Sequence, residues 1–198
     1  MAEQQGSSNH RRTFLKKSAA GALGGAVLTS LNSLPTLHAA GGDVIRVGLI
    51  GCGGRGTGAA VNAMRADANM QLVAMCDIFP DRLEHSRKVL QQQAKQQEMA
   101  GKVNVTDELC FTGFDGYKQL VNSDIDLVLL CTPPHFRPMQ LRAAIEANKH
   151  VFCEKPVAVD PTGVRSVLET VEMAKQKDLN LVSGLCWRYD LGVRATME

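Results

Sequence analysis

Short apolar runs alternate along the chain with longer stretches that carry apolar residues at helical spacing. The clearest runs are residues 44–50, 71–76, 125–131, 150–153 and 179–185. Runs that are apolar nearly throughout are typical of parallel strands whose two faces are both covered by helices. The pattern therefore predicts a parallel sheet with a helix in each connection.

The stretches between the runs supply the helices and a weaker strand. Residues 80–99 and 161–177 show the helical spacing over several turns, and Pro80 suits the first turn of its helix. A short strand is predicted at residues 109–111, before a helix at 116–121. Six strands in all predict an α/β fold, a Rossmann-type doubly wound parallel sheet with the order 3-2-1-4-5-6.

A glycine turn follows the first strand directly. Gly51, Gly53 and Gly56 have the spacing G-x-G-x-x-G, and the small residues behind them open a helix. In dinucleotide-binding folds the first glycine allows the sharp turn, the second lets a pyrophosphate approach the backbone, and the third lets helix and strand pack closely. The phosphates then lie on free N–H groups of the helix N-terminus. The turn predicts a nucleotide site.

The second strand ends in an acidic residue, Asp77, which lies 21 residues after Gly56. An acidic residue near this position binds the ribose hydroxyls of NAD. Its charge repels a 2′-phosphate, and no arginine follows directly in Asp77-Ile78-Phe79. The sequence therefore favours NAD over NADP, although Asp77 could instead cap the next helix.

Further candidate residues stand where the later strands end. The fourth strand runs into Thr132-Pro133-Pro134-His135, the fifth into Glu154-Lys155-Pro156, and the sixth is followed by Trp187 and Arg188. The carboxyl ends of the strands face the ligand in open α/β sheets. Each of these residues also has an interpretation without a functional role. His135 then only starts a helix, Lys155 is a surface lysine, and Trp187 only covers the end of the sheet.

The first 40 residues have the pattern of a targeting segment. Arg11 and Arg12 precede Phe-Leu-Lys and a weakly apolar stretch from residue 19 to 34, which is too short and too rich in glycine to span a bilayer comfortably. This arrangement looks like a twin-arginine export signal, which predicts a partner in the export machinery and a periplasmic protein. A basic tail, or an uncleaved signal that tethers the protein to the membrane, is the alternative.

The charge and the cysteine content argue against a nucleic-acid-binding or metal-binding protein. The net charge is +2 and the surplus lies in the first 40 residues, so no basic surface for nucleic acid is predicted. Six cysteines show no C-x-x-C pair, and most lie near strand ends, where free cysteine behaves as a small buried apolar residue. No metal site is predicted.

Four features in this order resemble one enzyme family. They are the turn at residues 51–56, Asp77, the segment 132–135 and Glu154-Lys155-Pro156, with 149–156 (K-H-V-F-C-E-K-P) as a close match to the central motif. The family is that of glucose-fructose oxidoreductase, inositol dehydrogenase and MocA, and the resemblance covers residues 44–189. It implies NAD-dependent hydride transfer at a sugar or polyol hydroxyl.

The resemblance also implies roles for individual residues. Lys155 is the expected catalytic residue, since an ammonium beside the reacting hydroxyl stabilises developing alkoxide charge. Glu154 is expected to orient Lys155 or line the nicotinamide ribose. The full set of expected cofactor contacts is Gly51, Gly53, Gly54, Arg55, Gly56, Asp77, Thr132, Pro133, His135, Glu154, Lys155, Trp187 and Arg188.

The resemblance also predicts the domain organisation. Residues 1–40 are the export signal, 43–186 the NAD-binding domain, and 187–198 the start of a second domain that in this family supplies most of the substrate site, a catalytic base and usually the oligomer interface. We expect the chain to be an amino-terminal part of such an enzyme, with homo-oligomers only in a full-length form. The alternatives are a non-catalytic NAD-binding module and a truncated product without function.

Overall fold

The computed structural model describes residues 44–95 and 99–197. The predicted export signal at residues 1–40 lies outside this part of the chain. In the described part, no helix is both long enough and apolar enough to cross a bilayer.

The sheet has the predicted topology. Six strands lie in the order β3-β2-β1-β4-β5-β6, and every neighbouring pair is parallel. The predicted Rossmann-type fold is therefore confirmed. The strands are β1 (Ile45–Ile50), β2 (Met70–Asp77), β3 (Cys110–Thr112), β4 (Leu127–Leu130), β5 (His150–Cys153) and β6 (Leu181–Ser183).

Helices fill the connections, and an additional one follows the last strand. They are α1 (Gly54–Ala66), α2 (Pro80–Gln93), α3 (Gly116–Val121), α4 (Arg137–Glu146), α5 (Pro161–Gln176) and α6 (Leu191–Met197), with single 3₁₀ turns at Asp107–Leu109 and Cys186–Arg188. Asp160 caps α5 by accepting a hydrogen bond from the Gly163 N–H at 2.6 Å, and Pro161 occupies the first turn.

Two apolar layers cover the two faces of the sheet. Helices α1 and α2 pack on one face, with Met64 and Leu90 fully buried against Leu49 of β1. Helices α3, α4 and α5 pack on the other, where Leu120 and Leu141 join Ile50. Neighbouring residues of β1 thus serve opposite layers, as expected for a strand buried on both sides.

Two elements are shorter than the apolar pattern predicts. Helix α2 ends at Gln93 rather than near residue 99, and the chain then places the Met99 side chain in the core, which a straight helix could not do. Strand β6 spans only Leu181–Ser183 instead of residues 179–185, because beyond Ser183 the Gly184 N–H still reaches the Cys153 carbonyl (2.8 Å) but the backbone then turns.

The strand order reverses between β1 and β4, which pair side by side but lead to helices on opposite faces. Such a reversal leaves a crevice outside the carboxyl ends of the strands, where ligands bind in open α/β sheets. In this chain the glycine turn after β1 and the Thr132-Pro133 segment after β4 flank that crevice.

Candidate cofactor site

A cavity of about 740 Å³ lies at the carboxyl edge of the sheet. Its volume is in the range of small-molecule and cofactor sites. Nine of the residues predicted from sequence line it: Gly51, Gly53, Gly54, Arg55, Asp77, Thr132, Pro133, Glu154 and Lys155. Residues more than 100 positions apart in sequence are thus gathered in one place by the strand order.

Packing within the protein requires glycine at the first and the last position of the glycine turn. Gly51 has a φ of +94°, and a Cβ there would lie 2.8 Å from the Thr132 backbone nitrogen. A Cβ on Gly56 would lie only 1.8 Å from the Gly51 carbonyl oxygen, which confirms the close packing of helix on strand expected of the third glycine. Neither position accepts a side chain without movement of the backbone.

The middle of the turn is open instead. A Cβ built on Gly53 or on Gly54 meets no protein atom within 4 Å. Gly53 is the N-cap of α1, so the first N–H groups of that helix, which have no acceptor within the helix, begin beside this open space. The arrangement fits a pyrophosphate on the helix N-terminus, where N–H groups and the helix dipole favour an anion.

Asp77 is held in a fixed orientation at the end of β2. One carboxylate oxygen accepts the Cys52 N–H at 2.7 Å, and the other accepts the Phe79 N–H at 3.0 Å. Each carboxylate oxygen can accept a further hydrogen bond, so both remain able to bind hydroxyl groups. The position suits two adjacent ribose hydroxyls, and it does not suit a phosphate.

Glu154 and Arg55 form an ion pair across the cavity. The Glu154 carboxylate is almost fully buried and the Arg55 guanidinium is half exposed. The hydrogen bond to Glu154 is the largest cause of a raised Arg55 pKa. The structure thus pairs Glu154 with the glycine turn while Glu154 also lines the cavity, and its two expected roles, orienting Lys155 or lining the nicotinamide ribose, stay predictions.

Lys155 lies where two cavities meet. It is exposed and is the second residue after the end of β5, and it lines the main cavity together with a second, more apolar one of about 450 Å³. Trp187 and Arg188 line this second cavity and are not among the residues that line the main one. Lys155 is therefore the residue that connects these two predicted residues with the others.

His135 does not line the main cavity. It is exposed in the turn before α4, and its ring packs edge-to-face on Phe136 with centroids 5.2 Å apart. Because the helix begins at Arg137, the preceding turn directs Phe136 rather than His135 to the cavity. Of the three residues expected to wall the nicotinamide side, Thr132 and Pro133 line the cavity, and Phe136 lines it in place of His135.

Several lining residues were not predicted from the sequence. Arg137 is buried and donates to backbone carbonyls, and Gln140 accepts a hydrogen bond from the Thr132 hydroxyl at 2.6 Å. Phe114 comes from the loop after β3 and lies 6.4 Å from Phe136, centroid to centroid. The only sequence signal for Arg137 and Gln140 was their helical spacing of three residues just behind the Thr132-Pro133 segment.

The buried cysteines are unsuited to act as nucleophiles at neutral pH. Burial raises the pKa of Cys76 and Cys131 to about 12 and that of Cys153 to about 11. Burial and the neighbouring Asp77 also raise the Cys52 pKa well above its usual range. These thiols stay protonated and serve as apolar packing, since the thiolate is the reactive form. Across residues 44–95 and 99–197, no group of His, Cys, Asp or Glu is arranged to hold a metal ion.

Known proteins share both this fold and parts of this sequence. Glycosyl hydrolase family 109 protein 1 of Bacteroides fragilis is 32% identical over 141 residues, which are 70% of this chain and 28% of that protein. Inositol 2-dehydrogenase of Pseudomonas savastanoi pv. phaseolicola is 31% identical over 151 residues, 76% of this chain and 40% of that protein. The chain spans well under half the length of these relatives.

A solved structure also resembles this chain. Scyllo-inositol dehydrogenase from Lactobacillus casei, crystallised with bound cofactor NAD(H) and scyllo-inositol, matches with a TM-score of 0.57 and 25% identity over 78% of this chain and 40% of that one. The family model of an oxidoreductase family with an NAD-binding Rossmann fold matches residues 45–184. The chain therefore belongs to this oxidoreductase family, named after glucose-fructose oxidoreductase, inositol dehydrogenase and MocA, and residues 45–184 are its NAD-binding Rossmann domain.

Proposed function

We propose that the chain is the cofactor-binding part of an NAD-dependent oxidoreductase that acts on a sugar or polyol hydroxyl by hydride transfer. One observation carries the proposal: a single cavity contains the glycine turn, Asp77 and Lys155. The inositol dehydrogenases among its relatives support a polyol as substrate.

Different residues of the cavity bind different parts of the cofactor. The open space beside Gly53 and the N-terminus of α1 accept the pyrophosphate. Asp77 accepts hydrogen bonds from the adenosine ribose hydroxyls, and its negative charge disfavours the 2′-phosphate of NADP. When bound, the nicotinamide supplies hydride acceptance.

Lys155 supplies the electrostatic part of the chemistry. An alcohol that loses hydride to the nicotinamide must also pass its hydroxyl proton to a base, which the family resemblance implies in a second domain, and negative charge develops on the oxygen. The exposed ammonium of Lys155 borders both cavities, so it can donate a hydrogen bond to that oxygen and stabilise the charge.

Asp77→Ala is expected to weaken NADH binding by about 1 to 3 kcal/mol, because the ribose hydroxyls lose a charged acceptor. The affinity for NADPH should fall less, since the repulsion of its phosphate is removed as well. Isothermal titration with each cofactor measures both effects. Asp115→Ala removes an exposed carboxylate that pairs with Lys118 outside the cavity, and it serves as the matched control. Equal NADH affinities for Asp77→Ala and the wild type would remove Asp77 from the site.

The reaction itself is tested by incubating the whole protein with NAD⁺ and a panel of inositols, sugar alcohols and sugars while NADH formation is recorded. NADH formed with at least one member of the panel supports the proposal. NADH binding without turnover of any of them would indicate a binding module instead.

A second candidate function is action on a glycoside. It is favoured by the relatives named as glycosyl hydrolase family 109 proteins, including one from Shewanella pealeana that is 30% identical over 183 residues, 84% of this chain and 38% of that protein. Hydrolysis is redox-neutral overall, so the two candidates differ in their products. Release of the phenol from an aryl glycoside without net NADH formation identifies the glycosidase, whereas stoichiometric NADH identifies the dehydrogenase.

We further propose that the protein is exported to the periplasm through the twin-arginine signal. The proposal rests on Arg11 and Arg12, which precede Phe-Leu-Lys and a weakly apolar stretch that contains several glycines. Recovery of the mature protein from the periplasmic fraction tests the proposal, and a protein found only in the cytoplasm would contradict it.

A further inference from the structure

Arg137 is a buried cation that joins two loops of the cofactor cavity. It is the first residue of α4 and only 6% exposed. Its Nε donates to the Thr132 carbonyl at 2.8 Å, and its Nη1 donates to the Glu154 carbonyl at 2.7 Å and to the Pro156 carbonyl. All of these acceptors are backbone oxygens.

The acceptors have a particular position relative to Lys155. Glu154 and Pro156 are its two neighbours in sequence, so one guanidinium holds the backbone on both sides of this lysine. The third acceptor, Thr132, lies on the facing loop after β4 and lines the same cavity. Arg137 thereby fixes the backbone at Lys155 relative to the Thr132-Pro133 wall.

Lys155 has need of such a support. It lies in neither a helix nor a strand, and its side chain is exposed at the end of a flexible four-carbon stem. A catalytic group must be held close to its productive position, and supporting residues with fixed side chains do this. The planar fork of an arginine can span several carbonyl oxygens, which a lysine ammonium at the same position cannot do with the same geometry.

We infer that Arg137 is the positioning residue for Lys155, and that it sets the distance between the Lys155 ammonium and the nicotinamide end of the bound cofactor. The inference rests on the proposed function of Lys155. It also accounts for a buried charge whose hydrogen-bond partners are all neutral, because burial of this kind is costly and needs a compensating role.

The test compares Arg137→Lys with the wild type in the whole protein. The variant keeps the positive charge but not the three-way contact. We expect kcat to fall at least tenfold while the Kd for NADH changes by less than about threefold, the pattern of a lost transition-state interaction. Arg142→Lys is the matched control, since Arg142 lies on the same helix in an exposed pair with Glu169 outside the main cavity, and it should leave both values unchanged.

A second readout does not depend on turnover. Pulsed acylation followed by mass spectrometry gives the reactivity of Lys155 relative to the exposed Lys88 as an internal reference. Without cofactor, Arg137→Lys should change this ratio by more than about threefold, because the backbone on both sides of Lys155 is released. With NADH, we expect Lys155 to be protected in the wild type and this protection to be largely lost in Arg137→Lys. If Arg137→Lys does not fold, Arg137→Gln is used for the same comparison.

The outcomes separate this inference from the proposed function. An unchanged kcat and an unchanged Lys155 reactivity in the folded variant would overturn the inference, and a lowered melting temperature alone would assign Arg137 a purely structural role and overturn it as well. A wild-type protein that does not bind NADH contradicts the proposed function, and the cofactor-free reactivity of Lys155 then still decides whether Arg137 positions it.

Discussion

Gly56→Ala is expected to cost the domain most of its stability. The new Cβ would lie 1.8 Å from the Gly51 carbonyl oxygen and 3.3 Å from the Cys131 Cβ. The first of these neighbours is backbone in the tight turn, so relief requires helix α1 to move away from β1. Overpacking typically costs 1 to 3 kcal/mol where side chains can adjust, and here we expect more than about 3 kcal/mol. Urea unfolding followed by circular dichroism measures the loss.

Gly58→Ala is the control for this substitution. Gly58 lies two residues further along the same helix, and its added Cβ would have only the Arg55 guanidinium as a neighbour, at 4.0 Å. Alanine in a helix interior is favoured over glycine by about 0.5 to 1 kcal/mol, so this variant should be as stable as the wild type or slightly more so. A Gly56→Ala protein with wild-type stability would show that the turn does not have the described geometry.

Lys155→Met should lower kcat by about 10²- to 10⁴-fold, because the developing negative charge on the substrate oxygen loses its stabilising cation. The Kd for NADH should change little, since the cofactor-binding groups of the turn and Asp77 remain. NADH formation by the whole protein, with a polyol found active in the panel, measures the first quantity, and titration with NADH the second.

Lys88→Met is the matched control for the loss of a lysine charge. Lys88 is exposed on α2 and pairs with Glu84, away from the cavity. It should leave kcat and the NADH affinity unchanged. If Lys155→Met retained the wild-type kcat, Lys155 would not take part in the chemistry and the motif would serve binding alone.

The sequence was most informative where chain order and local chemistry coincide. The apolar run before Gly51 predicts a buried strand followed by a turn, and Asp77 can bind a ribose only from the end of a strand. The strand order and the nucleotide site could therefore be predicted together. The third strand and helix α3, predicted weakly at residues 109–111 and 116–121, are present at Cys110–Thr112 and Gly116–Val121. The ends of α2 and β6 were missed because packing of Met99 and the turn after Ser183 decide them.

The wall of the cavity could be predicted only in part. Thr132 and Lys155 were found through their motifs, but Arg137 acts by reaching across to another loop, and no local pattern encodes such a contact. His135 was expected at the cavity and lies outside it, because the turn before α4 directs the next residue, Phe136, to the cavity instead. Likewise, nothing in the sequence indicates that Glu154 pairs with Arg55.

We expect the carboxyl edge of this sheet to bind NAD through the glycine turn and Asp77. Calorimetric titration of the purified chain with NADH is the decisive experiment. It should give one saturable site per chain with a Kd between about 1 μM and 1 mM, the usual range for substrates and cofactors of enzymes. If a folded chain takes up no NADH at millimolar concentration, this edge of the sheet is not a cofactor site.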